Sequence, residues 1–110
     1  MFKIVIRIGH DRQNNGGEVD AVTLEQATAD AVNALTKFYG GAMITETRGA
    51  YYDTREKSTQ IESYAETVTD DQRATLADLC ATIAKNCDQE SVLLACENCG
   101  GWLNFVTAKN

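Results

Sequence analysis

Thr23-Leu24-Glu25-Gln26 and Thr69-Asp70-Asp71-Gln72 carry the same signal, a threonine followed three residues later by a glutamine, each at the head of an amphipathic run. Such a start is a capping box: the threonine side chain accepts from one orphan amide of the helix N-terminus and the glutamine reaches back for another. Behind the first box, Leu24, Ala27, Ala31, Leu35 and Phe38 fall on one side, with Glu25, Gln26, Asp30, Asn33 and Lys37 on the other. That is the period of a core-facing helix, and Gly40-Gly41 supplies its stop. Behind the second box, Leu76, Leu79, Cys80, Ile83 and Cys87 share a face opposite Asp71, Asp78 and Lys85. Asp70 and Asp71 then sit in a first turn, where the macrodipole favours acidic side chains.

Strands flank these helices. Phe2, Ile4, Ile6 and Ile8 alternate with Lys3, Val5 and Arg7, the period of a half-buried strand. Between the helices, 42–52 and 59–68 are rich in β-branched and aromatic residues and are expected to pair as a hairpin across a charged turn at 53–58. After the second helix, 91–96 reads as a strand and 102–106 as a short final one. The order is β-α-β-β-α-β with an extra C-terminal edge strand. It predicts an α+β, ferredoxin-like domain over 1–110, with two helices on one face of an antiparallel sheet and the first and third strands central. A chain of 110 residues is long enough for one core to hold it. If Ile61, Ser63 and Ala65 face the helices, Glu62, Tyr64 and Glu66 look outward beside Lys3 and Arg7, giving a polar, self-paired bare face. Such a face predicts a monomer or small homo-oligomer rather than a barrel closed by two apolar sheets.

The net charge of −6 is unevenly placed. Residues 1–60 hold seven basic and eight acidic side chains, whereas 61–110 hold three and eight. A negative field over the second half repels phosphate backbones, so nucleic acid is not expected as a direct partner. Lys3 and Arg7 break any signal-peptide core in the opening strand, and no apolar run approaches a membrane span. A cytoplasmic protein with no membrane partner is the expectation.

The chemical candidates are few. Cys96-Glu97-Asn98-Cys99 has metal-ligand spacing, but Cys80 and Cys87 lie about 10 Å apart along a helix axis, too far to close one tetrahedral zinc site. All four cysteines are expected reduced and metal-free, and no cofactor is expected. His10 beside Asp11 ends the first strand without a nucleophile motif to serve. Asn14-Asn15-Gly16-Gly17 lacks the lysine and spacing of a phosphate loop, leaving a connector. Glu62, Glu66, Asp88, Glu90 and Glu97 have no such local explanation and are expected to gather at one sheet edge, with Tyr64 and Trp102 as aromatic anchors.

The opening strand, Arg48-Gly49-Ala50-Tyr51-Tyr52, Glu62-Ser63 and Gln89-Glu90-Ser91-Val92 together resemble small uncharacterised ferredoxin-like proteins encoded by bacteriophages and other mobile elements. That resemblance implies a small accessory protein that inhibits or sequesters a host component, and it carries over no site residues. Two functions follow. The first is a non-enzymatic acidic binding protein, an inhibitor meeting the basic surface of a host defence or nucleic-acid-handling protein through the five carboxylates, Tyr64 and Trp102. The alternative is a small-molecule-binding protein or cofactor-independent enzyme of the dimeric α+β barrel type, using the open sheet face with Tyr64, Tyr51 or Tyr52, Arg7 and His10.

Overall fold

Alternation in the first eight strand residues sorts the chain into two faces, and the rest of the architecture builds on that division. In the computed structural model, which describes residues 1–51, 54–98 and 103–108, β1 (Phe2–Gly9) is followed by α1 (Ala21–Tyr39), β2 (Met43–Tyr51), β3 (Thr54–Ala65), α2 (Asp70–Asn86), β4 (Ser91–Glu97) and β5 (Leu103–Thr107). The strands form one antiparallel sheet in the order β2-β3-β1-β4-β5. This is the expected ferredoxin-like arrangement, with β1 at the centre, β3 beside it and β5 as the added edge.

Ile4, Ile6 and Ile8 of β1 are fully buried with Ile61 of β3 and Val92 and Leu94 of β4, beneath Ala27, Ala31 and Leu35 of α1 and Leu76, Cys80 and Ile83 of α2. The register sets Ile4 opposite Ser63 and Cys96, and Ile6 opposite Ile61 and Leu94. Even-numbered β1 residues therefore meet the helices, while Lys3, Val5 and Arg7 occupy the face the helices leave uncovered.

The second helix starts as its sequence predicts: the Thr69 side chain accepts from the Gln72 amide, and the Gln72 side chain accepts from the Thr69 amide, both at 3.1 Å. The first does not. Its N-cap is Asp20, whose carboxylate accepts from the Val22 amide at 3.1 Å and from the Thr23 hydroxyl. Thr23 thus lies inside the first turn, because a carboxylate three residues earlier is the stronger acceptor at a helix start. Its stop is as read, with Gly40 at φ 90° donating its amide to the Thr36 carbonyl.

The hairpin also differs from its expected form. Tyr51 pairs with Thr54, and Arg55, Glu56 and Lys57 pair with Ala50, Gly49 and Arg48, so 54–58 of the stretch read as a turn belong to a 12-residue strand, and Asp53 lies outside the described residues. Charged residues suit the end of a two-stranded ribbon as well as a turn. Cys80 and Cys87 are free and buried. Cys96, expected reduced, is instead disulfide-bonded; Cys99 lies outside the described residues. No described helix is long and apolar enough to cross a membrane.

Candidate functional site on the open sheet face

Across the sheet face that no helix covers, Lys3 stands opposite Tyr64 on β3 and Glu97 on β4, Val5 opposite Glu62 and Ala95, and Arg7 opposite Gln60 and Leu93. Exposure does not follow from the missing helix layer. Val5 is 3% exposed, Ala95 7% and Glu62 9%, because long neighbouring side chains fold over them.

A carboxylate this deep needs partners, since desolvating an unpaired charge costs several kcal/mol. The Glu62 Oε1 accepts from the Gln60 Nε2 at 2.7 Å, and its Oε2 lies 3.5 Å from the Lys3 Nζ. Gln60 is held in turn, its Oε1 accepting from the Arg7 Nε at 3.1 Å and the Arg7 Nη2 at 2.7 Å. Glu97 comes within 3.8 Å of the same Lys3 ammonium. Desolvation pulls the Lys3 pKa down, but Glu62 and Glu97 more than offset it and hold the ammonium above its ordinary range. Of the two carboxylates sharing this ammonium, Glu97 is the exposed one and keeps acceptor capacity facing outward. Tyr64, half exposed, borders this cluster, and Met43, opposite Glu62 on β2, is exposed. The patch thus brings together two carboxylates, an ammonium and the exposed Tyr64 and Met43 side chains.

A concave feature lies at the other end of the sheet. The segment between β1 and α1 is tied down rather than loose: Asp11 bridges Glu18, the Gln13 amide donates to the Asp88 carbonyl at 2.9 Å, and the Glu90 amide donates to the Gln13 side chain at 2.5 Å. The Asp88 carboxylate accepts from the Asn15 amide and side chain, both at 2.9 Å, and from Asn14 at 3.2 Å, with Arg12 3.5 Å away. Burial works to raise the Asp88 pKa, but the Asn15 and Asn14 bonds and the Arg12 charge keep it below the usual carboxylate range. The resulting cleft of about 410 Å³ is lined by Arg12, Asn15, Glu18, Asp20, Lys85 and Asp88 among others. Its apolar lining is confined to Val19 and Cys87.

The structure therefore divides the sequence candidates. Glu62, Tyr64 and Glu97 come together on the open face around Lys3. Asp88 is engaged with the β1–α1 segment, and Glu90 is exposed beside it, at the opposite end. Glu66 is exposed just past β3. His10 turns to the helix side, its Nε2 2.7 Å from the Thr59 Oγ1, so it does not join Arg7 and Tyr64. Tyr52 and Trp102 lie outside the described residues. Gln60 was missed, although its alternation with Glu62 opposite Arg7 was visible once the strand was placed; an amide gives no charge signal to draw attention. Among the described residues no group of histidine, cysteine and carboxylate side chains has the geometry of a metal site.

No protein-family model matches the sequence, and no curated protein does. Two solved structures share its fold. A phage SAM lyase in complex with S-methyl-5'-thioadenosine superposes with a TM-score of 0.66 at 19% identity, covering 97% of this chain and 89% of that one. A phage SAM lyase in the apo state gives 0.67 at 19% identity, over 98% and 90%. The phage source of both accords with the resemblance seen in the sequence. The inhibitor reading, by contrast, is corrected: the proteins sharing this fold along almost the whole chain are small-molecule enzymes, and the five carboxylates it relied on are spread over both ends of the sheet.

Proposed function

We propose that the protein binds S-adenosylmethionine on the open sheet face and cleaves it to S-methyl-5'-thioadenosine. The observation that carries this reading is the likeness in fold to a phage SAM lyase bound to S-methyl-5'-thioadenosine, continuous over 97% of the chain. The Lys3–Glu62–Glu97 cluster supports it chemically.

Release of S-methyl-5'-thioadenosine means that the bond from sulfur to the Cγ of the four-carbon amino acid chain breaks and that its electron pair returns to sulfur as a neutral thioether. As that bond breaks, the fragment's own carboxylate attacks the Cγ and closes a lactone, or a Cβ proton passes to a carboxylate such as Glu97 and an alkene forms, so no water, oxidant or cofactor enters. Positive charge on sulfur fades as the bond stretches. A carboxylate pressed against the sulfonium would stabilise the ground state more than the transition state and slow the step. Glu62 is better assigned to the α-ammonium, whose charge persists throughout, with Lys3 turning to the α-carboxylate. Clamping the amino acid end in this way fixes the chain for reaction, and orientation is a large source of rate. Between the two candidate locations, the open face has the apolar and aromatic surface a nucleoside needs, whereas the polar cleft does not.

Incubating the purified chain with S-adenosylmethionine and following S-methyl-5'-thioadenosine by chromatography tests the reading. Wild type should form product, and Glu62→Gln should lower kcat/KM at least tenfold, the scale of one lost charge-assisted contact. No product above the uncatalysed background would reject the lyase activity.

A further inference from the structure

We propose that Arg7 and Gln60 are positioning residues that set the orientation of the Glu62 carboxylate, an inference that rests on the open-face site described above. The geometry leaves Gln60 little choice. A guanidinium has only donors, so the end of the Gln60 amide approached by the Arg7 Nε and Nη2, at 3.1 and 2.7 Å, must be its oxygen. The amide nitrogen then has to point along the strand, where it donates to the Glu62 Oε1 at 2.7 Å. Arg7 therefore decides which way the amide faces, and the amide decides where the carboxylate sits. With Oε1 held by Gln60, the Oε2 now 3.5 Å from the Lys3 Nζ is the oxygen an entering cation would meet once Lys3 turns to the α-carboxylate.

Two consequences are specific to such a relay. Any donor-only side chain at position 7 that reaches Gln60 should preserve the orientation, so Arg7→Lys should work where Arg7→Met fails. The effect should also be confined to the part of the ligand that meets Glu62. S-adenosylhomocysteine carries the α-ammonium and S-methyl-5'-thioadenosine does not, so the two separate that contact from the nucleoside.

Dissociation constants for both compounds, measured by calorimetry on wild type, Gln60→Leu, Arg7→Met and Arg7→Lys, test the relay. S-adenosylhomocysteine should bind Gln60→Leu and Arg7→Met about tenfold more weakly, with S-methyl-5'-thioadenosine unchanged and Arg7→Lys near wild type. If both ligands weaken together, or neither does, the relay is wrong. A crystal structure of Gln60→Leu supplies a reading independent of any ligand: the Glu62 carboxylate should leave its present place, and an unmoved carboxylate overturns the proposal. Failure of wild type to bind either nucleoside would instead reject the lyase reading, leaving the position of Glu62 to decide the relay.

Discussion

Tyr39 closes α1 with its ring against Phe38, centroids 5.9 Å apart, and its hydroxyl is buried with no hydrogen-bond partner among the described residues. Burial pushes its pKa up, as expected of a phenol kept from water. Leaving a buried hydroxyl unpaired costs roughly 1–3 kcal/mol, and removing it while keeping the ring is neutral or better. Tyr39→Phe should therefore raise the denaturation midpoint by the equivalent of about 1 kcal/mol in urea titration; a drop would show that the hydroxyl has a partner. Cys80 shows the same physics without the penalty. Its thiol, pushed up to about 12 by burial, behaves as a small apolar group, so alkylating reagents should leave it untouched until the protein unfolds. The Tyr39 effect escapes sequence reading, because exposure of a single atom depends on neighbours brought in from other elements, whereas the buried place of Cys80 follows from its helix face.

At the scale of elements, the two helix starts separate what sequence pattern conveys from what it does not. Thr69 forms its box as read, and Thr69→Ala should cost about 1 kcal/mol of stability. Thr23 satisfies the same pattern but loses the cap to Asp20, since a pattern of spaced residue types does not rank competing acceptors. Asp20→Ala, not Thr23→Ala, should carry the larger loss at α1. The β1–α1 segment makes a similar point: its glycines and asparagines read as a connector, while its attachment to Asp88 joins residues more than seventy positions apart. Because hydrogen bonds hold the Asp88 carboxyl below its unfolded value, the stability it contributes is present above the ordinary aspartate pKa of about 3.9 and fades as pH falls through the lower folded value. Hydrogen exchange at the Asn15 amide should consequently speed up, beyond the intrinsic pH trend, as pH falls below about 4. An Asp88→Asn variant should lose this dependence.

Across the whole molecule, the ferredoxin-like order was legible because each helix and strand declared its buried face by periodicity, from Ile4, Ile6 and Ile8 to Leu76, Cys80 and Ile83. Leu35 and Leu76 are fully buried in that common core, and truncating either to alanine should cost about 2–5 kcal/mol. Function was less legible. The acidic excess of the second half suggested one charged surface, yet the fold distributes it: Asp70 and Asp71 to a helix start, Asp88 to a neighbouring segment, Glu62 to a network with Gln60 and Lys3. Net charge is a sum over the chain, whereas a site depends on which few groups converge. The open face declared its charges, Lys3, Arg7 and Glu62, but hid that they enclose Val5 and Ala95. Amide resonances followed during titration with S-adenosylhomocysteine, which keeps the nucleoside and amino acid ends without the reactive sulfonium, give the most direct view of that face. The account predicts shifts centred on Lys3, Val5, Glu62, Tyr64 and Ala95 with the cleft around Arg12 and Asp88 unmoved; shifts confined to the cleft, or none at saturating ligand, would contradict it.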